Sequence, residues 1–294
     1  MWKRVELHNH TVESDGNLKP KELVSFLHEQ GIQNFSITDH NTITAWDKAK
    51  PYVKKYDMEM IQGFELTSFY GHMLIQNINE YFPWDDIDEE NADKLFERAH
   101  KLGAIAGPAH PFSIPTPFSN GMNWSMKIHD YHLVDFIEVI NNAHTMVTDN
   151  KNGILFWEDL IFQGYDIAAV SGMDLHRITD ISNFYTTYIN VHHLNDPLSK
   201  QLNDAIKSCQ TQVTKRPVIN YQRNPYTIDI TIDNCDNYHY LLLEYRTKDQ
   251  TKIYQYNKKT ISIPIQETDI ATIMLYENTI DWKHLLTVIG PIKS

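Results

Sequence analysis

Residues 5–16 read VELHNHTVESDG, a short β-type run that leads into two histidines and then into an acidic turn. Successive side chains of a strand point to opposite faces, so His8 and His10 share one face and can bind the same ion. The Asp15-Gly16 pair favours a turn that brings a carboxylate back toward these histidines. The chain has 15 histidines, and one such pair is close to chance frequency, so its meaning depends on the rest of the sequence.

Strand and helix patterns alternate over the first two-thirds of the chain. The β-type runs lie at 5–10, 35–40, 60–67, 73–78, 104–107, 136–140, 167–171 and 185–191, and the helical patterns lie at 20–30, 45–56, 88–102, 154–162 and 198–208. This alternation is typical of parallel βαβ units, and seven or eight such units favour a barrel. We therefore predict an α/β fold in which residues 1–210 form a distorted (β/α)7-type barrel.

The pattern changes from about residue 211. Five β-type segments, separated by Asn, Asp and Lys turns, follow at 226–232, 238–245, 252–256, 260–265 and 270–276. Such spacing favours antiparallel pairing. We predict a small, mostly antiparallel β domain over residues 211–294.

Potential metal ligands recur along the predicted barrel. They are His8, His10, Asp15, His40, Glu65, His72, His110, Asp174 and His176. All except His72, which opens a strand, lie at or after the C-terminal end of a predicted strand, where parallel barrels carry their chemistry. Burying so many titratable groups together without a cation would cost more than the net stability of a domain. Imidazole and carboxylate donors together favour Zn, Mn or Fe.

These residues also carry a family resemblance that covers residues 5 to about 210. The motifs are His8-x-His10-x4-Asp15-Gly16, Thr38-Asp39-His40, Gly63-x-Glu65, Gly71-His72, Ala109-His110-Pro111 and Gly172-x-Asp174-x-His176. Their order resembles that of the PHP (polymerase and histidinol phosphatase) superfamily. Residues 65–72, 136–141 and 156–165 further resemble its carbaryl-hydrolase-like (CehA/McbA) branch.

The resemblance implies a cofactor of two or three divalent transition-metal ions. His8, His10 and Asp174 would hold one ion. Glu65 would bridge it to a second ion at His72 and His110, and Asp15, His40 and His176 would bind a third. Glu65, Asp174 and His176 are the candidate catalytic residues. A water shared by two ions would have its pKa lowered from 15.7 toward about 7.

The resemblance implies phosphoester hydrolysis as the favoured reaction, and three cations would suit a dianionic phosphate. The expected partner is thus a small-molecule phosphate ester. Arg177 is a candidate substrate-binding residue, although a surface ion pair with Asp180 is an equal alternative. Asn141 is a second candidate. The period-two pattern of its strand places Glu138 on the opposite face, away from the site.

Two other functions stay open. The long connection at 111–130 contains Phe112, Phe118, Trp124, Pro115 and Pro117, and aromatic residues in an active-site loop favour an organic leaving group. This observation keeps an ester or carbamate hydrolase as the alternative. A non-catalytic metal-binding scaffold is the third reading, and the complete ligand set speaks against it.

Composition sets the outer bounds. The net charge of −12 disfavours a nucleic-acid-binding surface, which needs clustered Lys and Arg. Only two cysteines occur, so the chain is not a disulfide scaffold. We see no leader and no apolar run of about 20 residues, and expect a cytoplasmic protein without a membrane segment. The oligomeric state stays open.

Overall fold

The computed structural model describes residues 1–114, 122–143 and 147–293. Its strands are β1 (Trp2–Val5), β2 (Asn34–Ile37), β3 (Glu59–Ser68), β4 (Gly71–Gln76), β5 (Ile105–Pro108), β6 (Phe136–Asn141), β7 (Ala168–Gly172), β8 (Thr186–Asn190), β9 (Thr211–Thr214), β10 (Val218–Arg223), β11 (Thr227–Asp233), β12 (Leu241–Arg246), β13 (Thr251–Tyr256), β14 (Ile261–Pro264), β15 (Ala271–Glu277) and β16 (Leu285–Ile292). The α-helices are α1 (Pro20–Glu29), α2 (Ala45–Lys55), α3 (Asp93–Lys101), α4 (Val147–Phe162) and α5 (Leu198–Lys207). The mixed α/β class and the β-rich C-terminal region are thereby confirmed.

Strands β2 to β7 form two small sheets. One has the order β2-β3-β4-β5, and the other pairs β6 with β7. Only the β2–β3 and β6–β7 pairs are parallel, because β3, β4 and β5 pair antiparallel. The turn between β3 and β4 consists of Phe69 and Tyr70, which leaves no room for a crossover helix. The predicted (β/α)7 barrel is therefore not confirmed, since no closed barrel forms among the described strands.

Three isolated parallel bridges bring the strand ends together. Glu6 pairs with Phe35, Asn9 with Leu175, and His40 with Glu65. The segment after β1 thus lies between β2 and the end of β7. The ends of β1, β2, β3 and β7 meet at one edge, and this edge carries the site described below.

The largest sheet joins the two ends of the chain. Its order is β1-β8-β9-β16-β15-β12-β13, and every pair in it is antiparallel. A second sheet of order β10-β11-β14 packs beside it. Strands from both sides of residue 210 therefore share one sheet. A domain division at residue 210 stays a prediction.

Local side-chain chemistry explains where a helix departs from its sequence pattern. The pattern predicts a helix over 88–102, but α3 begins only at Asp93. Asp88 Oδ1 accepts a hydrogen bond from the Glu90 amide, and Asn91 Oδ1 accepts one from the Asp88 amide. Such turns compete with helix formation. The acidic stretch 88–92 therefore precedes the helix.

Helix α4 connects the site region to the C-terminal sheet. Trp157 is fully buried, and its Nε1 donates to the carbonyl of Ile167. The next residue, the buried Glu158, accepts a hydrogen bond from Thr272 Oγ1 at 2.5 Å. Its other oxygen lies 3.1 Å from Arg246 Nη2. A carboxylate therefore lies inside the contact between α4 and the sheet.

We expect Glu158→Gln to stabilise the protein at pH 8 but not at pH 5. Burial raises the pKa of Glu158 from 4.5 to about 7, and Arg246 offsets only part of this. The folded pKa lies above the unfolded one. The contribution of Glu158 to the free energy of unfolding is therefore fully present below about pH 4.5 and is lost as pH rises through about 7. The gain at pH 8 should be about 1–3 kcal/mol in urea unfolding. Equal destabilisation at both pH values would contradict this account.

None of the helices within the described residues is long and apolar enough to span a bilayer. Both cysteine thiols, Cys209 and Cys235, are buried and free. The cytoplasmic location and the lack of a nucleic-acid-binding surface stay predictions.

Candidate metal centre

The Glu65 carboxylate lies at the centre of a cluster of histidine rings. Its Oε1 is 2.9 Å from His72 Nδ1 and 3.1 Å from His110 Nε2. Its Oε2 lies near three further ring nitrogens, at 3.2 Å from His8 Nε2, 3.3 Å from His10 Nε2 and 3.0 Å from His40 Nδ1. Five imidazoles thus converge on one fully buried carboxylate.

Several of these atoms are buried without a hydrogen-bond partner among the described residues. They include His8 Nε2, His10 Nε2 and Glu65 Oε2. An unsatisfied buried polar atom costs about 1–3 kcal/mol and calls for an explanation. A cation between these donors would satisfy all three at once. The imidazole and carboxylate donor set fits a divalent transition metal.

Asp174 completes the buried side of the cluster. Its Oδ1 lies 3.4 Å from His8 Nε2 and 3.1 Å from His10 Nε2. The parallel bridge between Asn9 and Leu175 sets this approach, because it aligns the segment after β1 with the segment after β7. The H-x-H pair therefore meets its acidic partner from more than 160 residues away along the chain.

A second group lies on the solvent-facing side. Asp15 Oδ1 is 3.1 Å from His176 Nε2, 3.6 Å from His40 Nε2 and 3.8 Å from His10 Nδ1. The side chain of Asp15 is 55% exposed and that of His176 is 33% exposed. The ring of His10 stacks on His176 at 4.2 Å between centroids. This side of the cluster is therefore accessible to a substrate.

The structure brings all nine predicted ligands into one region. The donor atoms of eight of them form three groups of ion-binding dimensions, namely His8, His10, Glu65 and Asp174; His10, Asp15, His40 and His176; and His40, Glu65 and His72. The ninth, His110, lies with its Nε2 3.1 Å from Glu65 Oε1. The first two groups resemble two of the ion sets implied by the resemblance, with His10 shared between them. His72 belongs here although it opens β4, because antiparallel pairing places it opposite Thr67 at the end of β3.

The prediction that Glu138 faces away from the site is wrong. Its Oε1 accepts a hydrogen bond from His8 Nδ1 at 2.9 Å, and its Oε2 accepts one from the His110 amide at 2.8 Å. The cause is a register irregularity between Glu138 and Ile140 in the β6–β7 pair. Such a bulge shifts the alternation of side chains along the strand. Glu138 therefore points into the cluster and fixes the His8 ring.

Asn141 also reaches the cluster, where its Nδ2 donates to Asp174 Oδ2 and Glu138 Oε2, each at 3.2 Å. Arg177 is exposed. Its predicted alternative partner, Asp180, accepts a hydrogen bond from the Ser182 amide instead. Substrate contact by Asn141 or Arg177 stays a prediction.

Asp39 holds the loop that carries Asp15. One of its oxygens accepts from the Thr11 amide at 2.6 Å and from Ser14 Oγ at 2.7 Å, and the other accepts from Thr11 Oγ1. The structure places it on the turn between His10 and Asp15.

The backbone is strained at two ligands. His110 has φ 28° and Asp174 has φ 49°, values that non-glycine residues adopt at a cost of order 1–3 kcal/mol. Next to Asp174, Gly172 leaves space for the ligands, because a Cβ there would lie 2.2 Å from His8 Cβ and 2.5 Å from Glu138 Oε1. The surrounding fold thus holds ligands in conformations that they would not adopt alone.

Opposite charges shift the pKa values of the cluster. Burial disfavours protonation of His8, but Asp174, Glu138 and Glu65 raise its pKa well above the usual range. Burial also lowers the pKa values of His40 and His110, but Glu65 outweighs it and raises the pKa of His40 to about 10 and that of His110 to about 9. The histidines in turn hold the pKa of Glu65 well below its usual range despite its burial. Because a metal displaces protons from its ligands, metal binding here should release protons.

The aromatic loop is described only in part. Residues 115–121, which include Pro115, Pro117 and Phe118, lie outside the described residues. Trp124 packs against Gly71, and the Phe112 ring contacts Phe156 at 5.5 Å between centroids. Local packing therefore accounts for these two rings. A role of the loop in specificity stays a prediction.

A mixed α/β fold with six histidines and three carboxylates at one edge of its strands is the architecture of a multi-histidine metal-binding protein. The PHP domain family model matches residues 6–280. The chain therefore belongs to the PHP domain family. Its CehA/McbA branch is not established by this match.

Known proteins resemble the chain in fold and locally in sequence. One crystal structure is of a two-domain protein containing a predicted PHP-like metal-dependent phosphoesterase from Bacteroides vulgatus; it has a TM-score of 0.61 and 16% identity and covers 99% of this chain and 95% of that one. An uncharacterised protein of Methanocaldococcus jannaschii is 28% identical over 152 residues, or 48% of this chain and 83% of its own. A 5'-3' exoribonuclease of Haemophilus influenzae is 38% identical over 68 residues, or 23% of this chain and 25% of its own.

Proposed function

We propose that this protein is a divalent-metal-dependent hydrolase and that phosphate esters are its substrates. The observation that carries this proposal is the Glu65 carboxylate, surrounded by five imidazoles at 2.9–3.3 Å with buried donor atoms left unsatisfied. Membership of the PHP domain family supports it. The names of the Bacteroides vulgatus and Haemophilus influenzae proteins refer to phosphoester chemistry, which favours the same substrate class.

The buried and the accessible residues of the cluster would hold different metal ions. His8, His10, Glu65 and Asp174 would hold metal in the buried group, and Asp15, His40 and His176 in the accessible group. Bound divalent ions would lower the pKa of water and stabilise charge on phosphate oxygens. The accessible edge at Asp15 and His176 is where we expect the substrate to enter.

Neighbouring side chains orient the histidine rings of the cluster. Glu138 fixes the His8 ring through Nδ1, which leaves Nε2 directed at Glu65 and Asp174. Thr67 Oγ1 holds His40 through Nδ1 at 2.5 Å. Outer partners of this kind fix the tautomer and the ring angle of a ligand. The donor atoms are thus preorganised for metal.

The alternative is an ester or carbamate hydrolase of the carbaryl-hydrolase type. Residues 65–72 and 136–141 carry the resemblance to that branch. The same cluster would polarise a carbonyl oxygen equally well. A scaffold without activity is less favoured, because the ligand set is complete.

The test is metal analysis followed by a substrate screen. Protein expressed with added Mn or Zn should contain at least two transition-metal ions per chain and should hydrolyse an aryl phosphate. A chelator should abolish the activity, and Mn should restore it. Absence of metal would refute the site. Inert phosphate monoesters and diesters, with turnover of aryl esters or carbamates, would establish the alternative.

A further inference from the structure

A separate cavity lies beside the metal centre, between α4 and the C-terminal strands. Its volume is about 260 Å³, enough for roughly nine water molecules at about 30 Å³ each. Lys151, Lys215 and Lys283 line it, and its described lining contains no acidic residue. The charged side chains that line this cavity are thus positive, although the chain as a whole has a net charge of −12.

Aromatic rings take the place of carboxylates beside two of these lysines. The ammonium of Lys215 lies 4.8 Å from the centroid of the Tyr185 ring, and that of Lys151 lies 5.8 Å from the centroid of the Trp282 ring. Neither lysine forms an ion pair with any residue that the structure describes. A ring face attracts a cation without neutralising it. No described carboxylate therefore lies within ion-pair distance of either ammonium.

Lys215 is also partly shielded from solvent. The residue is half-buried at the end of β9, and its backbone amide donates to the Leu286 carbonyl. Burial lowers the pKa of its ammonium, because the charged form is poorly solvated there, and the attraction of Glu277 offsets only part of this effect. An anion in the cavity would provide the missing partner.

One wall of the cavity is shared with the metal centre. Asn141 lines the cavity, while its Nδ2 donates to Asp174 Oδ2 and Glu138 Oε2. Asn150, which also lines the cavity, accepts a hydrogen bond from the Asn141 amide at 3.0 Å. None of the nine candidate ligands lines the cavity, so it is a site of its own.

We propose that this cavity binds a small organic phosphate, with Lys215 and Lys151 contacting the phosphate group. Three lysines around a cavity whose described lining has no acidic residue suit a dianion, and charge-assisted hydrogen bonds to phosphate are strong. The aromatic side of the cavity and its volume accommodate an organic group as well as the anion. This site is additional to the proposed hydrolase centre and does not depend on its activity.

The experiment is a titration of the metal-loaded, full-length protein with phenylphosphonate, which is not hydrolysed as a phosphate ester. Calorimetry should detect binding, and Trp282 should report it as a change in fluorescence. Lys215→Met should weaken this binding at least tenfold, and Lys215→Arg should keep it within about threefold. Lys54→Met, an exposed lysine on α2, is the matched control and should change nothing.

Three further measurements separate the cavity from the metal centre. Trp282→Phe should remove the fluorescence change while calorimetric binding persists. Glu65→Gln should leave the fluorescence-linked binding intact, even if it removes binding at the metals. Phenol, which has the ring without the charge, should not bind. Unchanged affinity in Lys215→Met, or equal binding of phenol, would overturn the proposal while leaving the proposed hydrolase function untouched.

Discussion

Replacing Glu65 by glutamine is expected to lower hydrolytic turnover by at least roughly 10³-fold and to reduce the metal content of the purified protein. Both carboxylate oxygens face imidazole nitrogens at 2.9–3.3 Å. The amide of a glutamine carries no negative charge, and its NH₂ group would face the imidazole nitrogens on one side of the side chain. Loss of a metal's Lewis-acid contribution is worth several kcal/mol, and each 1.4 kcal/mol is about tenfold in rate.

The matched control for this variant lies on the same strand. Glu59, at the start of β3, is exposed and lies 3.4 Å from Lys3 Nζ. Glu59→Gln should retain both activity and metal. Metal content is measured by elemental analysis and turnover with an aryl phosphate, at equal folded fractions shown by thermal melting. If Glu65→Gln keeps full turnover and metal, Glu65 does not hold the ions.

Glu138→Gln is expected to weaken metal binding by about 10–100-fold although Glu138 need not touch the metal. All three of its partners are donors: His8 Nδ1, the His110 amide and Asn141 Nδ2. Whichever way a glutamine amide is turned, its NH₂ group meets a donor. The His8 ring then loses its fixed orientation, and its Nε2 no longer points steadily at Glu65.

The readout for Glu138→Gln is the metal dependence of activity. Half-maximal activity should need a metal concentration 10–100-fold above that of the unaltered protein, with turnover largely recovered at saturating metal. Glu158→Gln is the matched control, because Glu158 is also buried but contacts Thr272 and Arg246 instead. A Glu138→Gln protein with an unchanged metal requirement would show that the His8–Glu138 bond has no positioning role.

Sequence reasoning selected nine candidate ligands that the structure brings into one region. His8 and His40 follow the short strands β1 and β2, and Glu65 lies within β3. The residue types of these candidate ligands are informative without any knowledge of tertiary structure. The alternation of strand and helix also identified the mixed α/β class. Both signals are local, which is why they can be read from the chain alone.

The errors arose where geometry depends on distant partners. Glu138 enters the site only because β6 has an irregular register against β7, and no local pattern reports such a bulge. His72 joins the cluster because β4 turns back on β3, whereas the barrel prediction assumed parallel neighbours. Periodicity predicts that a segment forms a strand, but it does not predict which strand it pairs with or in which direction.

The seven-stranded sheet has a consequence for how the chain reaches its native state. Its edge strand β1 contains residues 2–5, while β16, which lies between β9 and β15 near its middle, contains residues 285–292. The sheet therefore cannot be completed during synthesis until residues 285–292 have left the ribosome. Contacts of such high sequence separation form slowly. His8 and His10 directly follow β1 and are synthesised well before β16, yet the sheet that leads into them is complete only when β16 has joined it.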